Sequence, residues 1–218
     1  MKSTQKFWTF LAASLVWLAA ATGIRVAAQD LAACLPSPAD SLIATLERAY
    51  AELDYDCYAA LFANEAQHGI DFRFVLFAPD EAGEREWGYA EEMRIHRRMF
   101  RPDALLPGDG EVPPQLRVRS IACRLAPLRA FSERFDLYRS EMDPTAPLDR
   151  HRWRAVDAEY STSVMWHLEV GTELRIAGFA RFVVIEDRTV PAGAPGKFLL
   201  YRWEDLGPGE SSVAAAKQ

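Results

Sequence analysis

The chain has 218 residues, of which 50% are hydrophobic and 26% are charged, and its formal net charge is −6 at pH 7. A length of this order supports one ordinary hydrophobic core and leaves little room for a second. The acidic balance argues against a nucleic-acid-binding protein, because such proteins normally carry clustered surplus cations.

The first 28 residues have the three parts of a secretory signal peptide. A basic start at Lys2 and Lys6 precedes an apolar run at residues 7–21, and Val26-Ala27-Ala28 has the small residues of a cleavage site. The apolar run is short for a membrane span. We therefore predict a signal peptide at 1–28, a short linker at 29–36, a single domain at 37–207 and a flexible tail at 208–218.

Cysteine usage offers a second prediction about the compartment. The stretch Leu31-Ala32-Ala33-Cys34 resembles the lipobox of bacterial lipoproteins, although two charged residues stand between the apolar run and this motif. Lipidation at Cys34 would leave Cys57 and Cys123 to pair in a disulfide, since an odd cysteine count leaves one thiol over. Cleavage after Ala28 and lipidation at Cys34 both stay open. Either predicts an exported protein, periplasmic or extracellular, with a membrane anchor in the second case.

Two helices are predicted at the start of the domain. Ser37 and Pro38 suit the N-cap and first position of a helix, and apolar residues then recur at helical spacing as far as about Leu53. Asp54 or Asp56 is predicted to cap a second, short helix that ends near Gly69. The apolar face of the first helix consists of Leu42, Ile43, Leu46, Ala49, Tyr50 and Leu53.

A strand, a helix and a loop follow. Residues 71–77 are rich in aromatic side chains and predict the first strand. Residues 84–100 predict a third helix, with Trp87 at its start and an apolar stripe that includes His96. Four prolines and two glycines make residues 101–114 a loop.

The rest of the chain has the alternation and the β-branched and aromatic content of strands. Short turns between them predict an antiparallel meander, and the length of 152–169 requires a bend or bulge. Asp205 is predicted to cap a turn at the end of the last strand or to pair with a nearby arginine. Helices before a curved antiparallel sheet indicate an α+β fold with the helices packed on one face. The predicted strands are 116–119, 130–139, 152–169, 173–186 and 197–204.

The order and sizes of these elements resemble the nuclear transport factor 2-like superfamily, also called SnoaL-like or cone-shaped, and in particular its uncharacterised exported bacterial members. The resemblance covers about residues 37–206. It rests on Ala49-Tyr50, the strand at 71–77, Trp87 and the closing strands at 178–182 and 198–206. It implies a pocket between the helices and the concave sheet face. Catalytic relatives such as ketosteroid isomerases and dehydratases place acids, histidines and tyrosines there.

Strand alternation supplies two candidate acid–base pairs. Asp136 and Tyr138 share a strand face, as an acid that shuttles a proton and a phenol that steadies an oxyanion would. His167 and Glu169 share another, where a carboxylate could orient an imidazole. For each pair the alternative is an exposed polar strand face.

Other side chains are assigned plainer roles. Asp157 and Glu159 share a strand face, where paired carboxylates could shift one another's pKa, but they are expected to be solvated. The side chains expected to line a ligand pocket are Trp87, Tyr138 and Trp166. The histidines are scattered and neither Cys-x-x-Cys nor His-Glu-x-x-His occurs, so no metal site and no cofactor are predicted.

The functional prediction is an exported domain that binds a small apolar ligand without catalysis. An isomerase- or dehydratase-type enzyme that uses acid, histidine and tyrosine groups in the pocket is one alternative. A protein-interaction module of the cell envelope, which would present a homodimer or partner face, is the other. No nucleic-acid partner is expected, and membrane contact is expected only through an N-terminal lipid.

Overall fold

The computed structural model describes residues 38–76, 85–133, 153–191 and 198–207. The helices are α1 (Ala39–Glu52), α2 (Tyr55–Ala60), α3 (Glu65–His68) and α4 (Tyr89–Phe100), with a 3-10 turn at Pro114–Leu116. The strands are β1 (Arg73–Leu76), β2 (Arg85–Gly88), β3 (Val118–Glu133), β4 (Trp153–Leu168), β5 (Glu173–Asp187) and β6 (Phe198–Gly207). None of the helices within the described ranges has the length and apolar content that a membrane span requires.

The six strands form one sheet in the order β2-β1-β6-β5-β4-β3. Strands β3 to β6 follow one another as an antiparallel meander, as predicted. Strand β1 runs parallel to β6, so the sheet is mixed and the prediction of a purely antiparallel sheet is wrong on this point. Parallel neighbours need a long crossover connection, and the chain between these two strands, which includes α4 and the meander, supplies it.

Register shifts interrupt the longest strand pairings. The β3–β4 ladder has three shifts, two of which lie between Pro127 and Ser132, and the β5–β6 ladder has two. Such bulges bend a strand and increase its twist, so the sheet curls around the helices. The predicted class is confirmed: the fold is α+β, with N-terminal helices packed on a curved sheet. This is the cone-shaped arrangement that the nuclear transport factor 2-like resemblance implies.

Helix α1 packs its apolar face against the sheet. The predicted apolar positions from Leu42 to Tyr50 are buried, and the helix ends at Leu53 in a left-handed conformation with φ of 52°. At this end the Leu53 and Asp54 N–H groups bond to carbonyls of the last helical turn. Glu47 ties the helix to the edge strand, because its Oε1 accepts the Leu125 N–H at 2.6 Å.

The second and fourth helices are capped by carboxylates. Asp54 accepts the Cys57 N–H at 3.0 Å, which confirms Asp54 as the cap of α2. Helix α4 begins at Tyr89, because residues 85–88 pair with β1 as a strand instead of forming the predicted first turn. The Tyr89 N–H bonds at 3.3 Å to Asp71 Oδ2, a cap that lies too far back in the chain for a sequence pattern to reveal.

The helices cover one face of the sheet, which we call the inner face. Tyr160, Phe182 and Trp203 lie on it and contact one another edge to face. On the opposite, outer face Glu159 stands beside Arg181 in the strand pairing, and Glu204 follows on β6. The core therefore lies between α1, α2, α4 and the inner face.

The remaining strand predictions differ from the structure mainly in β3. The segments predicted at 116–119 and 130–139 belong to one strand that runs to Glu133, and residues 134–139 lie outside the described residues. Strands β4, β5 and β6 agree with prediction to within three residues. Strand β6 has neighbours on both sides, and Asp205 Oδ1 accepts the Gly207 N–H at 2.9 Å, which confirms its capping role.

Candidate functional site

A groove of about 420 Å³ opens between α1 and the edge strand β3. Helix α1 contributes Asp40 and Glu47, which lie two helical turns apart and therefore on the same flank. Strand β4 contributes Tyr160. We call this the α1–β3 groove, and its lining is completed by Ile43, Ala44, Leu125, Pro127, Leu128, Arg129 and Ala130.

Tyr160 presents the groove's phenol. Tyr160 as a whole is 5% exposed, and its ring contacts Phe131 and Phe182. Burial, with a smaller contribution from the Asp40 and Glu47 carboxylates, raises the pKa of Tyr160 to about 12. Like an ordinary tyrosine, it is protonated at neutral pH. Within the described residues its hydroxyl has no hydrogen-bond partner, which leaves it available to a ligand.

The charges around the groove are mainly negative. Arg129 lines it, but its Nη2 lies 2.8 Å from Asp157 Oδ1 and 3.7 Å from Glu159 Oε1, on the outer side of the sheet. The arginine charge is thus compensated by two buried acids. Asp40 is exposed, and Glu47 keeps a second oxygen beyond the one that binds the Leu125 N–H. The groove therefore favours a cation or a hydrogen-bond donor.

A second group of polar side chains lies between α1, α2, α4 and β2, and all of its members except the half-buried Trp87 are buried. We call it the Glu92 cluster: Tyr50, Tyr58, Trp87, Glu92 and His96. Glu92 Oε1 accepts the Tyr58 hydroxyl at 2.6 Å, and Glu92 Oε2 accepts Trp87 Nε1–H at 2.6 Å. Tyr50 Oη lies 2.7 Å from His96 Nε2. The His96 ring stacks on Tyr58 at a centroid distance of 4.1 Å.

The hydrogen bonds of the Glu92 cluster assign its protons. His96 Nδ1 faces two Glu92 oxygens, the backbone carbonyl at 3.1 Å and Oε1 at 3.2 Å, so it carries the proton. His96 Nε2 then accepts the Tyr50 hydroxyl. Burial lowers the pKa of His96, against the opposing effect of Glu92, and burial raises the pKa of Tyr50 and of Tyr58 well above the usual value.

This cluster satisfies its polar groups internally. Three donors converge on the Glu92 carboxylate, and Tyr58, Glu92 and His96 are all buried. A substrate could not reach these atoms without local opening of the helices, so the cluster stabilises the helical layer. Sequence reasoning named Trp87 and His96 but missed Glu92. The signal was present, because Glu92 stands four residues before His96 on the same helical stripe.

The structure gives His167 a different partner from the predicted one. His167 Nδ1 lies 3.1 Å from Glu173 Oε1 across the β4–β5 turn. Glu169 follows the end of β4 and is exposed in that turn. Both members of the His167–Glu173 pair are partly solvated, in an open hollow at the end of the sheet. Water screens the attraction between two charges that are exposed to this extent, so the contact contributes little.

Trp87 and Trp166 lie in different parts of the molecule. Trp87 stacks on Phe74 at 4.3 Å and belongs to the Glu92 cluster. Phe74 in turn contacts Trp203 on the inner face. Trp166 stands near the end of β4, opposite Ile121 on β3. The register from Trp203 across to β4 reaches Ala158, eight residues or roughly 26 Å from Trp166. The structure does not place Trp87 and Trp166 close to each other. Their role as residues of one pocket stays a prediction.

Several predicted residues lie outside the described residues or are not brought together. Asp136, Tyr138 and Cys34 lie outside the described ranges, so their roles stay predictions. The structure does not join Cys57 to Cys123: Cys57 is buried in α2, and Cys123 is half-buried on β3. Burial, with a smaller contribution from Glu47, raises the pKa of the Cys123 thiol to about 12, which makes this thiol a slow nucleophile.

The expectation that Asp157 and Glu159 are solvated is wrong. Asp157 is 2% exposed and Glu159 is 1% exposed. They lie on an interior strand, and arginines of both neighbouring strands, Arg129 and Arg181, pair with them. Arg181, for example, bonds to Glu159 Oε1 at 3.2 Å and to Glu204 Oε2 at 2.8 Å. Within the described ranges, no group of three or more histidine, cysteine or acidic side chains is arranged to hold a metal ion.

Comparisons with known proteins add little to this picture. No protein-family model matches the chain, and no curated protein is similar to it. A conserved protein of Planctomyces limnophilus has a TM-score of 0.43 at 11% identity, over 76% of this chain and 90% of its own. A candidate aromatic ring hydroxylase of Novosphingobium aromaticivorans has a TM-score of 0.43 at 14% identity, over 78% and 87%.

A third solved structure comes from the same Novosphingobium species. It is the β subunit of a candidate aromatic-ring-hydroxylating dioxygenase, with a TM-score of 0.42 at 10% identity, over 78% of this chain and 86% of its own. Similarities of this size carry no argument about what the chain binds or does. The function has to be argued from the groove itself.

Proposed function

We propose that the chain is a small-ligand-binding domain of the nuclear transport factor 2-like type, and that its site is the α1–β3 groove. The observation that carries this proposal is the Tyr160 phenol. It lines the groove together with the carboxylates of Asp40 and Glu47, and its hydroxyl has no hydrogen-bond partner among the described residues. An apolar wall with a few convergent polar groups is the usual composition of a ligand site.

The ligand class follows from the lining. Apolar side chains such as Ile43, Leu125 and Pro127 would contact an apolar body. Asp40 and Glu47 are acceptors for a cationic or donor end, and the Tyr160 ring and hydroxyl add a π face and an acceptor. The proposed ligand is therefore a small amphiphilic amine, rather than the small apolar ligand that the sequence predicts.

Binding without covalent chemistry is supported by the other buried titratable groups. The Glu92 cluster holds a carboxylate, an imidazole and two phenols, but these groups bond to one another and are closed to solvent. The groove, which is open, offers groups that can bind and orient a ligand. No histidine, the commonest general base, is among the described residues that line it.

A charge series of one ring compound tests the proposal. Benzylamine, benzyl alcohol and benzoate share a benzene ring and one side group but differ in charge. An ammonium near two partly solvated carboxylates gains about 1 kcal/mol from each, or about 2 kcal/mol in all, so benzylamine should bind roughly thirty-fold more tightly than benzyl alcohol. Isothermal titration calorimetry at low ionic strength measures this, and added salt should narrow the difference. Tighter binding of benzoate, or none of the three binding, would overturn the proposal.

A single-atom variant locates the binding in the groove. Tyr160→Phe removes only the hydroxyl, which should weaken benzylamine binding about three- to ten-fold, the value of one hydrogen bond. Tyr89→Phe is the matched control, because it removes a phenol hydroxyl at the start of α4, away from the groove. Equal affinities for the two variants would place the ligand elsewhere.

One observation favours an enzyme as the second candidate. Glu47 and Tyr160 converge on the groove as a carboxylate and a protonated phenol, the combination that isomerase- and dehydratase-type chemistry uses. A catalytic groove would convert its bound molecule. Native mass spectrometry of wild type and of Glu47→Gln, produced in the same host, distinguishes the two functions. Different retained molecules support turnover, whereas the same molecule in both supports binding alone.

Export is the second part of the proposal, and it is supported by the N-terminal sequence. The mass of the mature protein distinguishes the two processing routes. A chain that starts at Gln29 indicates cleavage after Ala28, and one that starts at a lipidated Cys34 indicates a lipoprotein. Retention of Met1 would contradict both.

A further inference from the structure

Strand β5 extends beyond its neighbour β6. The last β6 residue, Gly207, stands opposite Phe179, so residues 173–178 of β5 pair with β4 alone among the described strands. Their second edge has no strand partner among the described residues. Such an edge is a template for pairing with a further strand.

The β4–β5 turn determines which residues face this open edge. Gly171, with φ of 83°, bonds its N–H to the Leu168 carbonyl, and the Leu168 N–H bonds to the Thr172 carbonyl. Leu168 and Thr172 are therefore a hydrogen-bonded pair, and bonded pairs recur at every second residue of an antiparallel ladder. Leu174 and Ile176 thus direct their N–H and C=O to β4. Glu173 and Arg175 direct theirs to the open edge.

The side chains of this segment are unusually apolar for an exposed edge. Leu174 is 49% exposed and Ile176 is 62% exposed, on the inner side of the sheet. Glu173 and Arg175 are also exposed and project from the outer side. The segment therefore combines open backbone groups, an apolar face and two opposite charges.

We propose that this edge pairs with the same edge of a second copy of the chain, as two antiparallel strands related by a two-fold axis at Leu174. In this register Glu173 stands opposite the partner's Arg175, and the symmetry makes this ion pair twice. Leu174 meets its own copy on the other face. Each Glu173–Arg175 pair also has its backbone groups directed towards the other strand, as the ladder requires.

Charge selects this register over its neighbours. Outward-facing residues must oppose one another, so each symmetric register is centred on a single residue of the edge. A centre at Glu173 places that acid opposite its own copy, and a centre at Ala177 brings Arg175 against Phe179, where β6 is already paired. The remaining centres are Leu174, Arg175 and Ile176. A centre at Arg175 places that arginine opposite its own copy, which is unfavourable. A centre at Ile176 leaves Arg175 opposite Ala177 and brings Glu173 against Phe179, where β6 already occupies the edge. A contact of this length belongs to the weak, concentration-dependent interfaces.

Charge reversal tests the register directly. Sedimentation equilibrium from about 1 to 200 μM would be measured on the product of the full-length gene, so that its N-terminal segment is processed as in the cell. Glu173→Arg or Arg175→Glu alone places like charges opposite each other twice, and should raise the dimer dissociation constant roughly ten-fold. The double exchange of both residues restores two opposite-charge pairs and should restore the dimer.

A matched control separates register from general charge effects. Arg124→Glu makes the same chemical change at an exposed arginine of β3 and should leave the dissociation constant unchanged. Hydrogen exchange adds a local readout. Exchange of the Glu173 and Arg175 backbone amides should become slower as the protein concentration rises, whereas exchange of exposed loop amides should not change. A monomer at 200 μM, or a dimer that both single reversals leave intact, overturns the proposal. In the first case the two charges serve to keep the edge unpaired.

Discussion

Removing the Tyr58 hydroxyl tests whether the Glu92 cluster stabilises the fold. The Tyr58→Phe variant keeps the buried ring, with its stacking on His96 and its contacts with Tyr50 and Phe62. It removes only the hydrogen bond to Glu92 Oε1, which is 2.6 Å long. The packing of the core is therefore unchanged, and the variant isolates one polar interaction.

The expected cost follows from the surroundings of the carboxylate. A hydrogen bond to a charged group contributes about 1.5–3 kcal/mol, and its loss here leaves a buried carboxylate with fewer donors. Trp87 and His96 still donate to Glu92, which limits the loss. We expect a decrease of about 2 kcal/mol in the free energy of unfolding. In a protein of this size this corresponds to a decrease of roughly 4–8 °C in Tm.

The assay is urea unfolding monitored by circular dichroism, with Tyr55→Phe as the control. Tyr55 lies on the same short helix, and its hydroxyl accepts a hydrogen bond from Arg97 at 3.1 Å on the partly exposed side. Loss of that bond should cost less than about 1 kcal/mol, because water can replace it. If Tyr58→Phe is no more destabilising than Tyr55→Phe, the view of the Glu92 cluster as a stabilising network is wrong.

Two further predictions concern α4. Burial lowers the pKa of His96 below its usual 6.5, so the unfolded chain takes up a proton at a higher pH than the folded chain. The free energy of unfolding should therefore fall as pH decreases below about 6.5. Urea titrations between pH 7 and 5 should show a shallower fall for His96→Gln than for the wild type. The same dependence of the unfolding free energy on pH in both proteins would contradict this. At Gly88 a Cβ would lie 2.5 Å from Asp71 Oδ2, which caps α4. Gly88→Ala should lower the free energy of unfolding, measured by thermal unfolding, by about 1 kcal/mol. Gly110→Ala, where an added Cβ meets no neighbouring atom, should lower it little. Equal effects of the two substitutions would refute the capping role of Asp71.

The sequence was sufficient to predict elements whose signals are local. The spacing of apolar residues in α1, the Asp54 cap of α2 and the alternation in β4 and β5 all depend on neighbours within a few residues. The errors arose where the partner is distant. The start of α4 was misplaced because residues 85–88 pair with β1. The parallel β1–β6 contact joins strands more than 100 residues apart, which no local pattern encodes.

The candidate site was less predictable, for the same reason. Tyr160 lies on β4 among residues of ordinary strand composition, and its significance comes from Asp40 and Glu47 on α1. Alternation did predict that Asp157 and Glu159 share a face, but it cannot show the arginines that bury them. Which residues share a face is a local property. What lies opposite that face is set by the fold.

Tyr58 and Tyr160 show why a perturbed pKa does not by itself identify a functional site. Burial is the largest cause of the raised pKa in both, and a carboxylate adds to it in both. The difference lies in access and in partners. The Tyr58 hydroxyl already donates to Glu92 inside a closed cluster, so it contributes to stability. The Tyr160 hydroxyl stands in an open groove without a partner among the described residues, so a ligand can supply the missing hydrogen bond. Removal of the two hydroxyls should accordingly have different consequences. Tyr58→Phe should lower the stability of the protein, and Tyr160→Phe should weaken ligand binding.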